Sequence, residues 1–595
     1  MKISQRIRSA YLPYRNSVFD IIRFQIVSGL TISILVFILR QLANLLIRST
    51  GRVAVSTGDF DFIFKTWQGP LLIVLGITTL FIYVAADLNT QIIYASKLLN
   101  GKPDLLSSMK EGILSIRKFL TIDGLGIVLY ISLIAPIVGL GISISLTRNL
   151  YIPYFISSVI HSRIDYTILY YLFILVFAFL GIVNIFTLHG ILLSDLKSSK
   201  ADDESRILMR KNWKDYLKQN LFFGLFVIGA NFFVILFAGI LPVIIAFFFF
   251  YGKPYADTVF IFVMLGAGFF LAYLNAFNRS FYLIRITQLY YRYKGEEKNL
   301  IIRKRKYSRL FAATALTALI VFLALLSRFL DTHFEDLFNR QITVGIIAHR
   351  AGGIEAPENT VKGLQKAIEL EADGAEIDIQ RSSDGYYIVN HDSTFSRLCL
   401  NSAKPSELTL EQIKALTLTD PLFPDDPQPV ATFEEMLETA KDEILLFVEL
   451  KGETADTEMV DDVVKMILLR GMSDNVVLIS LKYNLIDYCE NRYPEIQCAY
   501  LTFASFGNTA ELNCDYLGLE EEAASSSNIF AIHKSGRKVL VWTPNTSDSL
   551  ETFLLSDADY IITDRIIQAK EKIEELSNRN KFDIIMYKVM RILFY

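Results

Sequence analysis

Seven long apolar segments in the first 330 residues of this 595-residue chain constrain its fold more than any other feature. A helix needs about 20 apolar residues to cross the hydrocarbon core of a bilayer, and each segment is near or above that length. We therefore predict seven membrane-spanning helices. The segments are Phe24–Leu46, Pro70–Ala86, Phe119–Leu146, Tyr166–Leu193, Leu221–Tyr251, Val259–Phe277 and Leu310–Leu326.

Two of these segments leave alternatives open. Pro70–Ala86 is short for a span, whereas Leu221–Tyr251 has 31 residues with Pro242 inside it. The longer segment could tilt, kink or fold back as a hairpin. A hairpin would reverse the side of the membrane on which the rest of the chain lies.

The distribution of cationic residues predicts the orientation. Lys and Arg concentrate in the N-terminal tail and in alternate loops, and such concentrations mark the cytoplasmic side of a membrane. The basic loops extend from Lys97 to Lys118, from Lys197 to Lys218 and from Arg279 to Arg309. With seven crossings, the N-terminus is cytoplasmic and the chain after the last span is extracytoplasmic. A hairpin in the fifth segment would leave the third basic loop outside, which disfavours the hairpin.

The C-terminal part of the chain has a different composition. From Gln341 onward, 23 Lys and Arg residues face 43 Asp and Glu residues, whereas the preceding residues have 36 against 19. An acidic domain therefore follows a basic one. The four cysteines lie in the acidic part without metal-ligand spacing, so we interpret them as buried or idle thiols, with a disulfide as the alternative. They are Cys399, Cys489, Cys498 and Cys514.

Short apolar runs alternate with helical patterns throughout the acidic part. This alternation predicts parallel strands joined by helices in a (β/α)8 barrel, whose chemistry lies at the carboxyl ends of the strands. The strand-like runs are Ile346–Ala348, Ala375–Ile379, Tyr386–Val389, Leu445–Leu450, Val476–Ser480, Gln497–Leu501, Tyr516–Leu519, Val539–Trp542 and Tyr560–Ile562.

The stretch Ile346–Asp392 collects charged and imidazole side chains around the first of these runs. Two runs lead into His349 and His391, as buried parallel strands do when they deliver a side chain to a barrel mouth. Between them, Glu376 and Asp378 alternate with isoleucines. Because side chains in a strand alternate between faces, both carboxylates share one face.

Seven short motifs resemble those of the glycerophosphodiester phosphodiesterase family, in the family's order and across about 220 residues. They are His349-Arg350-Ala351, Pro357 to Thr360, Glu376-Ile377-Asp378, His391-Asp392, Glu449-Leu450-Lys451, Trp542-Thr543 and Thr563-Asp564. Ala351 departs from the family's usual Gly, which affects the local loop geometry. The resemblance implies a (β/α)8 barrel, with Ser393–Ala431 as its small lid. The helical part resembles the membrane domain that accompanies some bacterial members.

The resemblance also implies a phosphodiesterase site at the barrel mouth. Glu376, Asp378 and Glu449 would hold one divalent cation, and oxygen ligands suit Ca²⁺ or Mg²⁺. His349 and His391 would act as general acid and base, in an order that stays open. The other implied roles are phosphate binding by Arg350 and Lys451, contact with glycerol or the metal shell by Glu358, an apolar face for glycerol from Trp542, and a loop role for Asn359.

We therefore expect metal-dependent hydrolysis of glycerophosphodiesters to glycerol phosphate and an alcohol at the membrane surface. The expected partners are a membrane-derived phosphodiester and the bilayer, without nucleic acid. One alternative is phospholipase C-like or D-like action on intact phospholipid or lysophospholipid. Another is a transporter or lipid-binding membrane module with a regulatory barrel. The sequence leaves the alcohol, the ion and the oligomeric state open.

The predicted organisation is a polytopic all-α membrane domain followed by an α/β TIM-type barrel. The membrane domain covers residues 1–330, a linker 331–343, the barrel 344–566 and an amphipathic helix 567–595. That helix could lie on a membrane surface or pack on the barrel. We expect a multi-pass protein of the bacterial cell membrane, with a cytoplasmic N-terminus and an extracytoplasmic catalytic domain.

Overall fold

The structure is a computed structural model that describes residues 3–56, 60–101, 104–138, 163–253, 255–296, 309–333, 342–503 and 505–579, with a few isolated positions besides. The chain forms two compact units. A helical unit contains the chain up to Arg40 and the stretch Ile73–Arg340, and a barrel unit contains Gln41–Leu72 and Gln341–Arg579. Most of the predicted linker and positions 580–595 of the predicted C-terminal helix lie outside the described residues.

The first 333 residues are almost entirely helical where the structure describes them. Three π-helical turns, Val84–Asn89, Tyr130–Ile134 and Ile235–Ile240, continue helices that would otherwise be separate. The helices are α1 (Ile3–Arg48), α2 (Phe60–Lys65), α3 (Gln68–Tyr83), α4 (Thr90–Leu99), α5 (Leu105–Leu114), α6 (Ile122–Leu129), α7 (Ala135–Val138), α8 (Ile164–Val183), α9 (Thr187–Leu193), α10 (Ser198–Val234), α11 (Leu241–Phe250), α12 (Ala256–Tyr293) and α13 (Arg309–Thr332).

Four described stretches are helical, long and apolar enough to cross a membrane: Arg23–Arg48, Gln68–Leu99, Ile164–Leu193 and Ser198–Phe250. In each of the last two stretches, only 6% of the most apolar 18-residue segment is buried within the protein. A large exposed apolar surface is stable in lipid and not in water. The helical unit is therefore a membrane domain. The count of seven spans stays a prediction, because Ile122–Ile137 and Ala256–Leu271 are apolar but shorter.

The fifth predicted span is one helical stretch and not a hairpin. Helix α10 continues through the π-helical turn Ile235–Ile240 into α11, and Pro242 lies in the first turn of α11. Proline has no N–H to donate within a helix and its ring crowds the preceding turn. A π-helical turn directly before it changes the local hydrogen-bond spacing, which lets the helix continue.

The barrel unit contains a closed ring of eight parallel strands. Around the ring the order is β2, β3, β7, β8, β9, β11, β12 and β13, and β13 pairs with β2 to close it. The predicted TIM-type barrel is therefore confirmed. The strands of this unit are β1 (Ala54–Ser56), β2 (Gly345–Ala348), β3 (Gly374–Arg381), β4 (Tyr387–Val389), β5 (Thr417–Leu418), β6 (Gln428–Pro429), β7 (Leu445–Leu450), β8 (Val476–Ser480), β9 (Gln497–Thr502), β10 (Ser505–Gly507), β11 (Tyr516–Glu520), β12 (Lys538–Trp542) and β13 (Tyr560–Thr563).

One predicted barrel strand does not belong to the ring. Strand β4, which precedes His391, pairs antiparallel with β3, with Ile379 opposite Val389. The run is a buried strand as predicted, but the prediction that it is parallel is wrong. Only five residues separate β3 from β4, and a connection that short can form a hairpin but not a parallel crossover.

Helices surround the ring in the order expected of such a barrel, with one exception. Between β9 and β11 the described chain contains the short strand β10 and a 3₁₀ turn, with no α-helix. Helix α22 packs as the last helix, with Ile566, Ala569 and Leu576 buried. The helices are α14 (Val361–Glu369), α15 (Ser396–Cys399), α16 (Leu410–Lys414), α17 (Phe433–Ala440), α18 (Thr457–Leu469), α19 (Tyr483–Arg492), α20 (Ser526–Lys534), α21 (Ser547–Leu554) and α22 (Ile566–Ser577).

The alternation of side chains along the strands creates two apolar layers. Residues such as Ile346 and Ile377 join a large cluster that includes buried side chains of the surrounding helices. Side chains of the opposite face, such as Ile347 on β2 and Phe447 on β7, join a smaller cluster that fills the inside of the ring. Inward-facing positions above that inner cluster consequently point at the barrel mouth.

The barrel unit also includes the segment that connects α1 to α3. Strand β1 of this segment pairs antiparallel with β10, with Ala54 opposite Gly507. The N–H of Asn508 donates to the carbonyl of Val53 at 2.9 Å. Arg48 adds an ion pair with Glu511 at 2.7 Å.

Candidate active site

Side chains from several neighbouring strands converge at one end of the barrel. His349 follows β2, Glu376 and Asp378 lie on β3, and Glu449 lies on β7. Parallel strands direct their carboxyl ends to the same face, so residues from distant parts of the sequence meet there. Lys451, Trp542 and Asp564 come from the ends of three strands at this face, and His391 follows β4.

The three predicted metal ligands form one buried cluster. Ligand oxygens of Glu376, Asp378 and Glu449 all lie within 4.8 Å of one another. Asp378 and Glu449 are directly paired in the β3–β7 ladder, which explains their proximity. Each residue is less than 8% exposed. An all-carboxylate set of this kind fits a hard divalent cation.

The electrostatics of this cluster are those of crowded acids. Burial, together with the charge of Asp378, raises the pKa of Glu376 to about 8. Burial also raises the pKa of Glu449. The pKa of Asp378 is lowered despite its burial, because Lys451 donates to its Oδ1 at 2.8 Å. The same ammonium group reaches Glu449 at 3.1 Å.

Each predicted catalytic histidine has a carboxylate beside its Nδ1. Nδ1 of His349 lies 2.6 Å from Oδ1 of Asp564, and Nδ1 of His391 lies 2.9 Å from Oδ1 of Asp392. Burial opposes protonation of His349, but Asp564 outweighs it and raises the pKa of this imidazole. Burial prevails at His391, whose pKa is lowered. Opposite shifts are what an acid–base pair requires.

His349 also faces the acidic cluster. Its Nε2 lies 4.0 Å from Oε2 of Glu376, and that oxygen accepts a hydrogen bond from the N–H of Arg350 at 2.8 Å. The histidine, its backbone neighbour and a predicted metal ligand therefore form one connected group.

The loop after β2 turns sharply through left-handed backbone. Arg350, Ala351 and Asn359 have φ angles of +51°, +63° and +55°. Ala351, which replaces the family's usual Gly, therefore adopts a conformation that costs a residue with a Cβ about 1–2 kcal/mol. The Ala351 N–H donates to the Glu376 carbonyl at 2.6 Å, which ties this turn to β3.

Asn359 contacts a predicted metal ligand directly. Its Nδ2 donates to Oδ2 of Asp378 at 2.9 Å, and its Oδ1 accepts from the Asp378 N–H at 3.2 Å. The side chain thus orients Asp378 in addition to shaping the loop. The role predicted for Asn359 from the sequence, a loop role, is incomplete.

Glu358 lies between two guanidinium groups. Arg350 donates to its two carboxylate oxygens at 3.3 and 3.2 Å, and Arg397 of the lid donates to it at 3.0 Å. Arg397 also donates to Asp392 at 2.7 Å, which links the lid to the carboxylate beside His391. The hydrogen bonds from Arg397 are among the causes that lower the pKa of both Glu358 and Asp392.

Sequence reasoning missed Arg397 and assigned no role to Asp392 and Asp564. Both aspartates stand in motifs that the sequence displays, so each could have been assigned as the partner of a histidine. Arg397 stands in the lid without a motif around it. Its role depends on how the lid folds back, which no local pattern records.

Comparisons with known proteins agree with this geometry. Residues 349–568 match the model of the glycerophosphoryl diester phosphodiesterase family. Residues 13–327, more than half of the chain, match the model of the membrane domain of glycerophosphoryl diester phosphodiesterase. The two matches meet close to the boundary between the helical part and the barrel.

Individual relatives resemble the barrel. The Bacillus subtilis protein YhdW is 27% identical over 229 residues, which are 37% of this chain and 93% of that protein. A glycerophosphodiester phosphodiesterase of Caldanaerobacter subterraneus subsp. tengcongensis is 26% identical over 233 residues, with 37% and 93% covered. The solved structure of an Oleispira antarctica phosphodiesterase in complex with the product sn-glycerol-3-phosphate has 23% identity and a TM-score of 0.36, covering 39% of this chain and 96% of that one.

Proposed function

The chain belongs to the glycerophosphoryl diester phosphodiesterase family and hydrolyses glycerophosphodiesters, and we propose that it does so at the membrane surface with one divalent cation and the histidine pair His349 and His391. The products are glycerol phosphate and an alcohol. The observation that carries this proposal is the meeting of three buried carboxylates and two carboxylate-paired imidazoles at one barrel mouth.

The acidic cluster supports the proposed cofactor. Three carboxylates so close together in a buried position repel one another, and a cation is the partner that relieves this. Glu376, Asp378 and Glu449 would hold Ca²⁺ or Mg²⁺, as their oxygen ligands fit either ion. When bound, the ion supplies positive charge to the phosphate oxygens and orients them.

The two histidines carry out the two proton transfers of the reaction, one each. One removes a proton from the attacking hydroxyl group, and the other gives a proton to the alkoxide that leaves phosphorus. Asp564 and Asp392 hold the two rings from their Nδ1 sides, which directs each Nε2 toward the reacting group. The arrangement is that of an orienting carboxylate behind a general acid or base.

Cationic side chains compensate the charge of the phosphate. Arg350 and Lys451 would bind its oxygens. Glu358 pairs with the guanidinium of Arg350 and so positions it. A carboxylate oxygen of Glu358 would also accept a hydrogen bond from a glycerol hydroxyl. Trp542 packs against the inner apolar cluster and presents a flat face for the glycerol carbons.

The connection between β1 and β10 supports the membrane-surface location and the extracytoplasmic side. Strand β1 directly follows the candidate span Arg23–Arg48, so the barrel that it pairs with is on the side where this span ends. If the N-terminal tail is cytoplasmic, as its charges predict, that side is extracytoplasmic.

The full-length protein in detergent tests the catalytic proposal. We expect His391→Ala to lower kcat/KM for glycerophosphoethanolamine by about 10³-fold, since an acid–base group contributes about 10²- to 10⁴-fold. Chelation should abolish turnover, and Mg²⁺ or Ca²⁺ should restore it. His533→Ala is the matched control, because His533 pairs with Asp559 away from the barrel mouth. Turnover that persists in His391→Ala or in chelator would contradict the proposal.

A further inference from the structure

The helical unit contains a cavity of about 510 Å³ that the proposed hydrolysis does not use. Its walls come from α6 with the π-helical turn that follows it, from the stretch α8–α9, and from the beginning of α10. All of these elements belong to the helical unit, whereas the proposed catalytic residues belong to the barrel unit. Small-molecule sites in proteins have volumes of about 300 to 1,000 Å³, so the cavity is large enough for a ligand.

Side-chain hydrogen bonds fix the wall that α10 forms. Oγ1 of Thr187, at the start of α9, donates to Oδ1 of Asp202 on α10 at 2.6 Å. Nε of Arg206, one turn further along α10, donates at 3.1 Å to Oδ1 of Asn184, which directly follows α8. Four of the lining residues therefore bind one another in two pairs. These pairs hold the end of the α8–α9 stretch against α10, so this side of the cavity is formed before any ligand enters.

The opposite wall contains a π-helical turn. Tyr130 and Ile131 of the turn Tyr130–Ile134 line the cavity. The hydroxyl of Tyr130 donates to the carbonyl of Phe177 on α8 at 2.7 Å, which joins this turn to the neighbouring helix. Turns of this kind inside helices are frequent at functional sites, because the extra residue changes the direction of the side chains around it.

Three charged side chains line the cavity without forming ion pairs. Asp123, Asp203 and Arg206 have no oppositely charged partner in the part of the chain that the structure describes. Asp203 and Arg206 are three residues apart on α10 and so lie on the same face of that helix. Because Arg206 uses Nε for Asn184, its two terminal nitrogens stay available to an anionic group. The cavity thus offers carboxylates and a guanidinium group to one ligand, as a zwitterion requires.

The rest of the lining is apolar. Ile127 belongs to the apolar helix Ile122–Ile137, and Leu180 and Leu188 belong to the candidate span Ile164–Leu193. Leu180 is 38% exposed, so the apolar wall continues onto the surface that this span presents to lipid. A cavity with charged groups at one end and an apolar wall that reaches the lipid-facing surface fits an amphipathic molecule. Hydrocarbon chains of lipids are the apolar groups present at that surface.

The charged end of the cavity lies near two of the basic loops. Asp123 follows the loop Lys97–Lys118 by five residues, and Asp203 and Arg206 lie within the loop Lys197–Lys218. Both loops are predicted to be cytoplasmic from their Lys and Arg content. The charged side chains are therefore expected at the level of the headgroups of the cytoplasmic leaflet.

We propose that this cavity binds a phospholipid whose headgroup carries a primary ammonium group, namely phosphatidylethanolamine from the cytoplasmic leaflet. Arg206 binds the phosphate, and the carboxylates of Asp203 and Asp123 accept hydrogen bonds from the ammonium group. The lipid chains lie along Ile127 and Leu180. Glycerophosphoethanolamine has the same headgroup without hydrocarbon, and the apolar wall selects the lipid over this water-soluble molecule. No covalent step is involved.

Full-length protein, stripped of lipid in detergent and titrated in native mass spectrometry, tests the charged end. Phosphatidylglycerol is the comparison lipid, because it shares the phosphate and the chains but has no ammonium group. We expect the Kd of phosphatidylethanolamine to be at least about tenfold lower than that of phosphatidylglycerol, and Arg206→Gln and Asp203→Asn each to raise it about tenfold, or by about 1.4 kcal/mol. Arg210→Gln is the matched control, because Arg210 is exposed one turn further along α10 and does not line the cavity.

A second pair of variants tests the cavity itself. Gly126 lines it, and a Cβ at Gly126 would meet nothing within 4 Å. The same space surrounds Gly224, which lies on α10 outside the cavity. Phenylalanine can therefore replace either glycine without a clash at Cβ, but only Gly126→Phe fills the cavity. We expect Gly126→Phe to raise the Kd of phosphatidylethanolamine at least about tenfold and Gly224→Phe to leave it unchanged.

The outcomes separate this site from the proposed hydrolysis, which depends on the barrel. Both phenylalanine variants and Arg206→Gln should hydrolyse glycerophosphoethanolamine as the unsubstituted protein does, which also shows that they fold. Equal Kd values for the two lipids, or a Kd that Arg206→Gln and Gly126→Phe leave unchanged, would overturn the site. Binding of glycerophosphoethanolamine as tight as that of phosphatidylethanolamine would overturn the lipid as its occupant.

Discussion

Glu376 shows how much of the site depends on single side chains. It is buried, its Oε2 accepts from the Arg350 N–H, and the same oxygen faces His349. Its carboxyl group also lies beside Asp378 and Glu449, and the combined effect raises its pKa to about 8. Without a cation, we therefore expect this residue to keep its proton to a higher pH than a free carboxyl group.

This protonation predicts that cation binding depends on pH. Below about pH 8 the ion must displace the proton of Glu376, so we expect the affinity for Mg²⁺ or Ca²⁺ to rise up to about tenfold per pH unit between pH 6 and 8 and then to level off. Calorimetric titrations in buffers of different ionisation enthalpy would count the released proton. Glu376→Gln should bind more weakly and lose this dependence. Affinity that is the same at pH 6 and pH 8 would contradict the assignment of Glu376 as a ligand.

The lid is a small folded element of its own. Its apolar cluster consists of one residue of β4 together with Phe395, Leu398, Ile413, Leu418 and Val430. Polar contacts hold it over the site. Arg397 reaches Glu358 and Asp392, and a buried aspartate, Asp420, accepts from the N–H of Glu358 at 3.0 Å and from that of Leu422 at 2.9 Å.

Asp420 therefore provides a test of the lid as an element. Replacement by Ala leaves the Glu358 N–H without its acceptor, which costs about 1–3 kcal/mol for a buried group. We expect Asp420→Ala to lower the thermal unfolding temperature of the barrel and to raise KM severalfold, since Glu358 holds Arg350. Asp420→Asn, which keeps one acceptor oxygen, should be intermediate. Asp425→Ala, at an exposed position of the same lid, is the control. Equal behaviour of the Asp420 and Asp425 variants would refute this role.

At the scale of the whole molecule, charge and hydropathy separate two environments. The membrane domain exposes apolar helices, and the acidic barrel unit includes the connection between the first two candidate spans. The pairing of β1 with β10 joins that connection to the barrel, so we expect both to lie on one side of the membrane. Because the basic N-terminal tail is predicted to be cytoplasmic, this arrangement predicts an extracytoplasmic barrel.

Cysteine labelling in intact cells would measure the sidedness. Leu469, 75% exposed at the end of α18, is a position in the barrel, and Lys211 is an exposed position on α10 in a predicted cytoplasmic loop. In a Cys399→Ser background, which leaves three buried cysteines, we expect a membrane-impermeant maleimide to label Leu469→Cys. Lys211→Cys should react only after permeabilisation. The reverse pattern would place the catalytic barrel in the cytoplasm.

The sequence by itself determined the family, the barrel and the membrane domain. Hydrophobic period and segment length are local properties, and they report directly which face of a strand or helix is buried. The motif residues from His349 to Asp564 could be found because short motifs in the family's order contain them, and several of these motifs stand at the end of a recognisable apolar run. Their convergence followed from the parallel topology that the alternating pattern predicts.

Only the tertiary structure decided which distant groups meet. The antiparallel direction of β4, the contact of Arg397 with Glu358 and Asp392, and the bond from Asn359 to Asp378 depend on how loops close. The pairing of Ala54–Ser56 with Ser505–Gly507 joins strands about 450 residues apart, and neither strand has a pattern that names its partner. A local sequence encodes the tendency to form a strand. The strand with which it pairs is selected by the packing of the whole chain.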